Sequence, residues 1–170
     1  MSLILLLPTP MAAKKTLKTV KLSLQDMNGK RASVQDLRGQ IVVLNFWATW
    51  CGPCNTEMPM LVQAAQKYKQ QPVAFLGASV DDSKTQKNIP AFLDRYHVGY
   101  TILTGASADD LDKLKLGVAV PATAFIDASG IVRFRILGQM RPGELQARID
   151  WLLHETGPAP VALVTHLEQK

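Results

Sequence analysis

Cys51 and Cys54 are the only cysteines in a chain of 170 residues, and they stand three positions apart. A single pair cannot build a disulfide framework, and a structural zinc site normally draws four ligands. The pair therefore reads as a redox couple. Trp50 precedes it and Gly52-Pro53 separates the two sulfurs. The segment lies between an apolar run and an amphipathic stretch, the context of a strand feeding a helix. A cysteine at the start of a helix meets unpaired N–H groups and the positive end of the helix dipole. Both favour a thiolate, whose pKa falls from ~8.5 toward ~7 at comparable sites. Cys51 is thereby expected to be the nucleophile of thiol–disulfide exchange. Cys54, one turn further in, is expected to be shielded and to resolve the mixed disulfide formed on Cys51. Pro53 falls in the first helical turn, where its missing N–H costs little.

The elements that must position this pair can be read from periodicity. Residues 41–47 are almost wholly apolar, the pattern of a strand buried on both faces of a parallel sheet. Met58, Leu61, Val62, Ala65 and Tyr68 then mark one face of a helix. Residues 73–80 form a second buried strand, closed by Asp81 and Asp82, for which helix capping is the expected task. A short helix carrying Ile89, Phe92, Leu93 and Tyr96 follows, with Asn88 as its cap and Pro90 in its first turn. Residues 101–104 read as a short strand. Ser107 and Asp110 have capping-box spacing for a helix over about 108–115. Residues 122–127 and 131–137 flank Ala128-Ser129-Gly130 as an antiparallel hairpin. Leu145, Ile149, Leu152 and Leu153 mark a last helix, ended by Gly157-Pro158. Two short strands, about 20–24 and 31–34, lie ahead of the core with Asn28-Gly29 as a turn signal between them. The right-handed crossover rule sets strands 41–47 and 73–80 side by side and parallel.

Composition removes several function classes. The chain is 47% hydrophobic and 19% charged, enough apolar content for one packed domain. The formal net charge of +5 lies entirely within residues 1–40, which hold seven Lys/Arg and two Asp. Residues 41–170 hold twelve bases and twelve acids. A nucleic-acid-binding domain usually carries its basic surplus on the folded body, so no nucleic-acid partner is expected. The basic arm around Lys14, Lys15, Lys18 and Lys21 reads as a solvated lead-in, with attraction to an anionic membrane surface as the alternative. Residues 1–15 are set apart as a leader, either disordered or a shortened export signal with the short apolar run Leu3–Leu7 and no basic start. The folded domain is expected over 16–157, followed by a tail, 158–170, without a clear assignment.

The wider pattern supports a specific likeness. Asn45-Phe46-Trp47-Ala48-Thr49-Trp50-Cys51-Gly52-Pro53-Cys54, followed by Glu57-Met58-Pro59, resembles the TlpA/ResA-like thiol-disulfide oxidoreductases of the thioredoxin superfamily. The likeness extends over about residues 18–155 and takes in Asp36-Leu37-Arg38-Gly39, Ser79-Val80-Asp81-Asp82 and Val120-Pro121-Ala122-Thr123-Ala124-Phe125-Ile126-Asp127. It implies an α/β thioredoxin fold, a central mixed sheet flanked by helices, with an N-terminal β extension and an insertion at about 81–105. Val120-Pro121 matches the family's cis-proline position, beside the redox pair, where the backbone before the proline meets a bound chain. Glu57 matches a glutamate three residues after the second cysteine. Buried there, it would have a raised pKa and could take and return the proton of Cys54. Asn45 stands where many thioredoxins place a buried Asp, and an amide cannot act as a base. Pro59 matches a helix-kinking proline. Trp50, Gly52 and Pro53 would join Val120 and Pro121 in contacting substrate.

Other chemistry is less well served. Ala48 and Leu44 occupy the positions at which a peroxiredoxin carries its Thr and Pro. His97, His154 and His166 form no local ligand motif, so neither a metal nor another cofactor is expected. Delivery of copper or zinc by the cysteine pair on the same fold is the rival reading. Metal binding without disulfide reductase activity would single it out. The likeness implies an extracytoplasmic protein-disulfide reductase, with reduction of apocytochrome c to its thiol form in cytochrome c maturation as a candidate pathway and another extracytoplasmic reductive pathway equally compatible. Its partners would be protein thiols and disulfides together with a membrane or periplasmic electron donor, and a monomer is expected.

Overall fold

A computed structural model describes residues 18–167 of the chain. The expected leader, 1–15, lies outside the described residues, as do 16, 17 and 168–170. Among the described residues, eight strands form one sheet in the order β2-β1-β5-β4-β3-β6-β7-β8. They are β1 Ser23–Asp26, β2 Arg31–Ser33, β3 Ile41–Trp47, β4 Val73–Ser79, β5 Thr101–Thr104, β6 Ala122–Ile126, β7 Val132–Leu137 and β8 Leu163–Thr165. The helices are α1 Gly52–Lys67, α2 Ile89–Tyr96, α3 Ala108–Lys113 and α4 Glu144–His154.

The centre of the sheet follows from side-chain chemistry. Every residue of β3 is buried, so this strand can only be covered on both faces. It pairs parallel with β4 and antiparallel with β6, which makes the sheet mixed. Met58 and Leu61 of α1, Phe92 of α2, and Leu145 and Ile149 of α4 pack on one face with Val43 and Trp47. Leu111, Leu114, Leu116 and the N-terminal Val20, Leu22 and Val34 pack on the other with Val42, Leu44 and Phe46. The alternation of β3 thus divides between two cores. This is the thioredoxin fold with the N-terminal β extension and the inserted α2–β5 segment expected from the sequence.

Several details differ from the expectations. The first strand begins at Ser23, later than expected, because Val20 and Leu22 are used as buried packing ahead of it. Asn88 sits at the N-cap position of α2 with helical dihedrals and without a side-chain cap bond, because a 3-10 turn, Gln86–Asn88, already leads into the helix. The segment after Gly157 adds β8, paired parallel with β7. Its three residues alternate too briefly to be read as a strand. Interactions with α4 hold it in place: Arg148 donates to the Val161 carbonyl at 3.2 Å, and His166 meets Glu144 at 3.0 Å. The folded unit therefore runs past 157 into the segment expected to be a tail. Among the described residues no helix is long and apolar enough to cross a membrane.

Candidate active site

Strand β3 ends at Trp47 and the chain turns through Ala48-Thr49-Trp50 into α1. Cys51 is the N-cap residue of α1 and is disulfide-bonded to Cys54, with Cα atoms 5.2 Å apart. The Cys54 N–H donates to the Cys51 sulfur at 3.2 Å. An N-cap sulfur that accepts a first-turn N–H is placed where the helix end stabilises a thiolate after reduction. Cys51 is 5% exposed and Cys54 is fully buried, so the two sulfurs are unequal in access. Gly52 and Pro53 are exposed in the first turn.

Trp50 is 61% exposed and stands over the surface beside the pair. It lines a cleft of about 390 Å³ together with Val80, Val118 and Val120. The Val120-Pro121 bond is cis, at the start of β6. Trp50 and Val120, far apart in sequence, are thus brought to one cleft.

Glu57 lies one turn beyond Cys54 on the inner face of α1 and is 2% exposed. Its Oε1 accepts from Asn45 Nδ2 at 2.8 Å, and its Oε2 accepts from the Met140 N–H at 3.0 Å. Asn45 Nδ2 also donates to Thr123 Oγ1 at 2.9 Å. Sheet register produces this contact, because Asn45 of β3 lies opposite Thr123 of β6. On the other side Asn45 lies opposite Gly77 of β4. A Cβ there would come within 2.7 Å of Ile102 Cδ1 and 3.0 Å of Trp47 Nε1, so any larger residue would have to displace these side chains. Burial raises the Glu57 pKa from 4.5 to about 7, against the lowering effect of the Met140 and Asn45 hydrogen bonds. The carboxyl is consequently poised near neutrality at one turn's distance from the buried sulfur. Tyr100 donates to Met58 Sδ at 3.0 Å, and its hydroxyl pKa is pushed up by burial and by the Glu57 charge.

Asp81 has a different task from the helix capping expected of it. Its side chain is buried and accepts from the Thr49 N–H at 2.9 Å, Thr49 Oγ1 at 2.6 Å and Ser79 Oγ at 2.8 Å. These bonds tie the loop that delivers Cys51 to the end of β4. Asp82 does hold a turn, accepting from the Lys84 and Thr85 N–H groups. Asp81→Ala would strand the Thr49 N–H and the Ser79 hydroxyl. Hydrogen bonds to a charged group are worth about 1.5–3 kcal/mol each, so a loss of roughly 3 kcal/mol or more is expected in urea unfolding. A change under about 0.5 kcal/mol would mean that water replaces the carboxylate without penalty.

Thr123, Met140 and Thr49 were not among the site residues expected from sequence. One signal existed: Asn45 is a polar residue in a doubly buried strand and must find partners. The histidines stand apart from the pair, His97 at the C-cap of α2 and His166 against Glu144. Among the described residues no cluster of three or more His, Cys, Asp or Glu could hold a metal ion.

Comparison with known proteins gives a consistent likeness. The sequence profile of the AhpC/TSA family matches residues 15–135. The chain is 30% identical over 128 residues to the thioredoxin-like protein YneN of Bacillus subtilis, covering 75% of this chain and 74% of that one. It is 32% identical over 127 residues to the thiol-disulfide oxidoreductase ResA of Geobacillus thermodenitrificans, covering 75% and 71%. The crystal structure of a secreted Mycobacterium tuberculosis disulfide oxidoreductase, described as homologous to E. coli DsbE, superposes with a TM-score of 0.63. That match has 26% identity over 76% of this chain and 94% of that one.

Proposed function

Because the chain belongs to the AhpC/TSA family and is a thiol-disulfide oxidoreductase of the DsbE/ResA type, we propose that it reduces protein disulfides outside the cytoplasm. The observation that carries the reading is the placement of Cys51 at the α1 N-cap with Cys54 fully buried behind it. The Cys51 thiolate attacks one sulfur of a substrate disulfide, and the substrate's other sulfur leaves as a thiolate. Cys54 then gives up its proton to Glu57 and attacks the Cys51 sulfur. The substrate's second thiolate is released, and the two electrons have passed to the substrate. The enzyme is left with the Cys51–Cys54 disulfide, and a dithiol donor must restore it. The exposed Trp50 and the Val120 backbone present the surface against which the substrate chain lies, with Gly52, Pro53 and Pro121 at its edge.

The Gly52-Pro53 spacer supports a reducing direction, since thioredoxin with the same dipeptide has a potential of ~ −270 mV. Reduction of an apocytochrome c disulfide to its two thiols before haem attachment is one pathway that fits the likeness. Equilibration with glutathione buffers, read by mass spectrometry, tests the direction. A potential well below −200 mV is expected, on the order of thioredoxin's. A value near ~ −120 mV, that of a strong oxidant, would overturn the reductant reading.

A further inference from the structure

Trp50 separates two clefts of unlike chemistry. The one shared with Val120 is apolar, walled by Val80, Leu111, Val118 and Ala119. The other, of about 480 Å³, is bounded by Thr49, Asn55, Asn88, Phe92 and Arg95. Arg95 is the only charged residue in that wall. It is exposed, and among the described residues it forms no ion pair.

The position of Arg95 relative to the sulfurs is fixed by a bridge. Asn55 Nδ2 donates to the Cys51 carbonyl at 2.8 Å, while Asn55 Oδ1 accepts from the Tyr96 hydroxyl at 3.0 Å. This side chain ties the first turn of α1 to the end of α2, next to Arg95. Phe92 stacks between Trp47 and Tyr96, with ring centroids 4.5 and 4.8 Å away, which holds the helix in register. The inserted helix thereby carries a single unmatched guanidinium to the rim of the redox site. The approach to it, residues 83–88, adds exposed Lys84 and Lys87. Of the carboxylates close by, Asp82 is committed to backbone N–H groups and Asp81 to Thr49 and Ser79, while Asp94, next to Arg95 on α2, is exposed and makes no ion pair with it.

We propose that this cleft receives an acidic side chain of the polypeptide being reduced, one near in sequence to the attacked cysteine, with Arg95 as its counter-charge. The inference rests on the disulfide exchange proposed above and names a preference within it. Guanidinium suits a carboxylate because its planar fork can donate two hydrogen bonds to it. The pair would be exposed, so its contribution is modest: about a fivefold effect at low salt. The contribution should shrink as ionic strength rises.

The test compares kcat/KM on two peptide disulfides that differ only in Glu or Lys two residues from the cysteine. The reduced wild-type protein should favour the Glu peptide by about fivefold. Arg95→Ala should bring the Glu/Lys ratio to about one, Arg95→Glu should invert it, and Arg95→Lys should restore most of it. Equal ratios in all four proteins would overturn the subsite. A small uncharged disulfide, given to the wild-type protein alone, separates the two claims. If it is reduced while the ratios stay equal, only the subsite is wrong. If neither it nor the peptides are reduced, the exchange reading fails and the subsite fails with it.

Discussion

Cys51→Ser is expected to reduce disulfide exchange to background, a loss of roughly 10³-fold or more, because no other sulfur near the surface can begin the reaction. A serine hydroxyl at the same N-cap keeps the backbone bond that the Cys51 sulfur now accepts, so the fold should survive. Cys54→Ser should behave differently. Cys51 still attacks, but nothing resolves the adduct, and a mixed disulfide accumulates to one equivalent of partner per protein. Turnover is lost in both variants, yet only the second traps its substrate. Mass spectrometry of the two proteins after mixing with a disulfide-bonded polypeptide makes the distinction. Trapping by Cys51→Ser at the level of Cys54→Ser would reverse the assigned roles. The burial difference between the two sulfurs makes that reversal physically costly.

Glu57→Gln is the second large effect, on pH dependence and on stability. The carboxyl is buried and its pKa is raised from 4.5 to about 7 by desolvation. A raised carboxyl pKa means that the folded state binds the proton more tightly than the unfolded chain. Stability from this group is therefore complete below about 4.5 and is lost as pH rises through about 7. The shift corresponds to roughly 3 kcal/mol between the two limits. The oxidised wild-type protein should lose stability over that window, and the glutamine variant should lack this slope. At pH 8 the variant should be the more stable protein. Catalysis should move the other way. Without a titrating group one turn from Cys54, resolution slows and the rise of exchange rate near neutrality is lost. Superimposed pH–rate curves for the two proteins would make Glu57 a bystander, whatever its effect on stability.

What the sequence conveys about this site follows the range of the interactions. The strand–cysteine–helix arrangement is local, and the all-apolar run of β3 with the amphipathic α1 discloses it directly. Asn45 is legible as a polar residue that needs partners, but those partners are not. Thr123 reaches it through β3–β6 register, and Met140 reaches Glu57 from the loop after β7. Such contacts depend on how distant strands align, which no local rule specifies. Asp81 misleads for the same reason. An Asp after a strand and ahead of a helix satisfies the capping rule, yet tertiary contact with Thr49 takes its carboxylate. β8 forms because Arg148 and His166 anchor it to α4, and its own three residues carry too little pattern to announce a strand. The Arg95 cleft depends on the Asn55–Tyr96 bridge and is equally invisible before the fold is known.

The most direct test of the account is the order in which the reduced cysteines react. Fully reduced protein is mixed with a limiting amount of iodoacetamide at neutral pH, and the labelled residue is identified by peptide mass spectrometry. The N-cap placement and the difference in access predict that Cys51 is alkylated first, with Cys54 following only on unfolding. Preferential labelling of Cys54 would contradict the assignment of Cys51 as the nucleophile and, with it, the proposed mechanism.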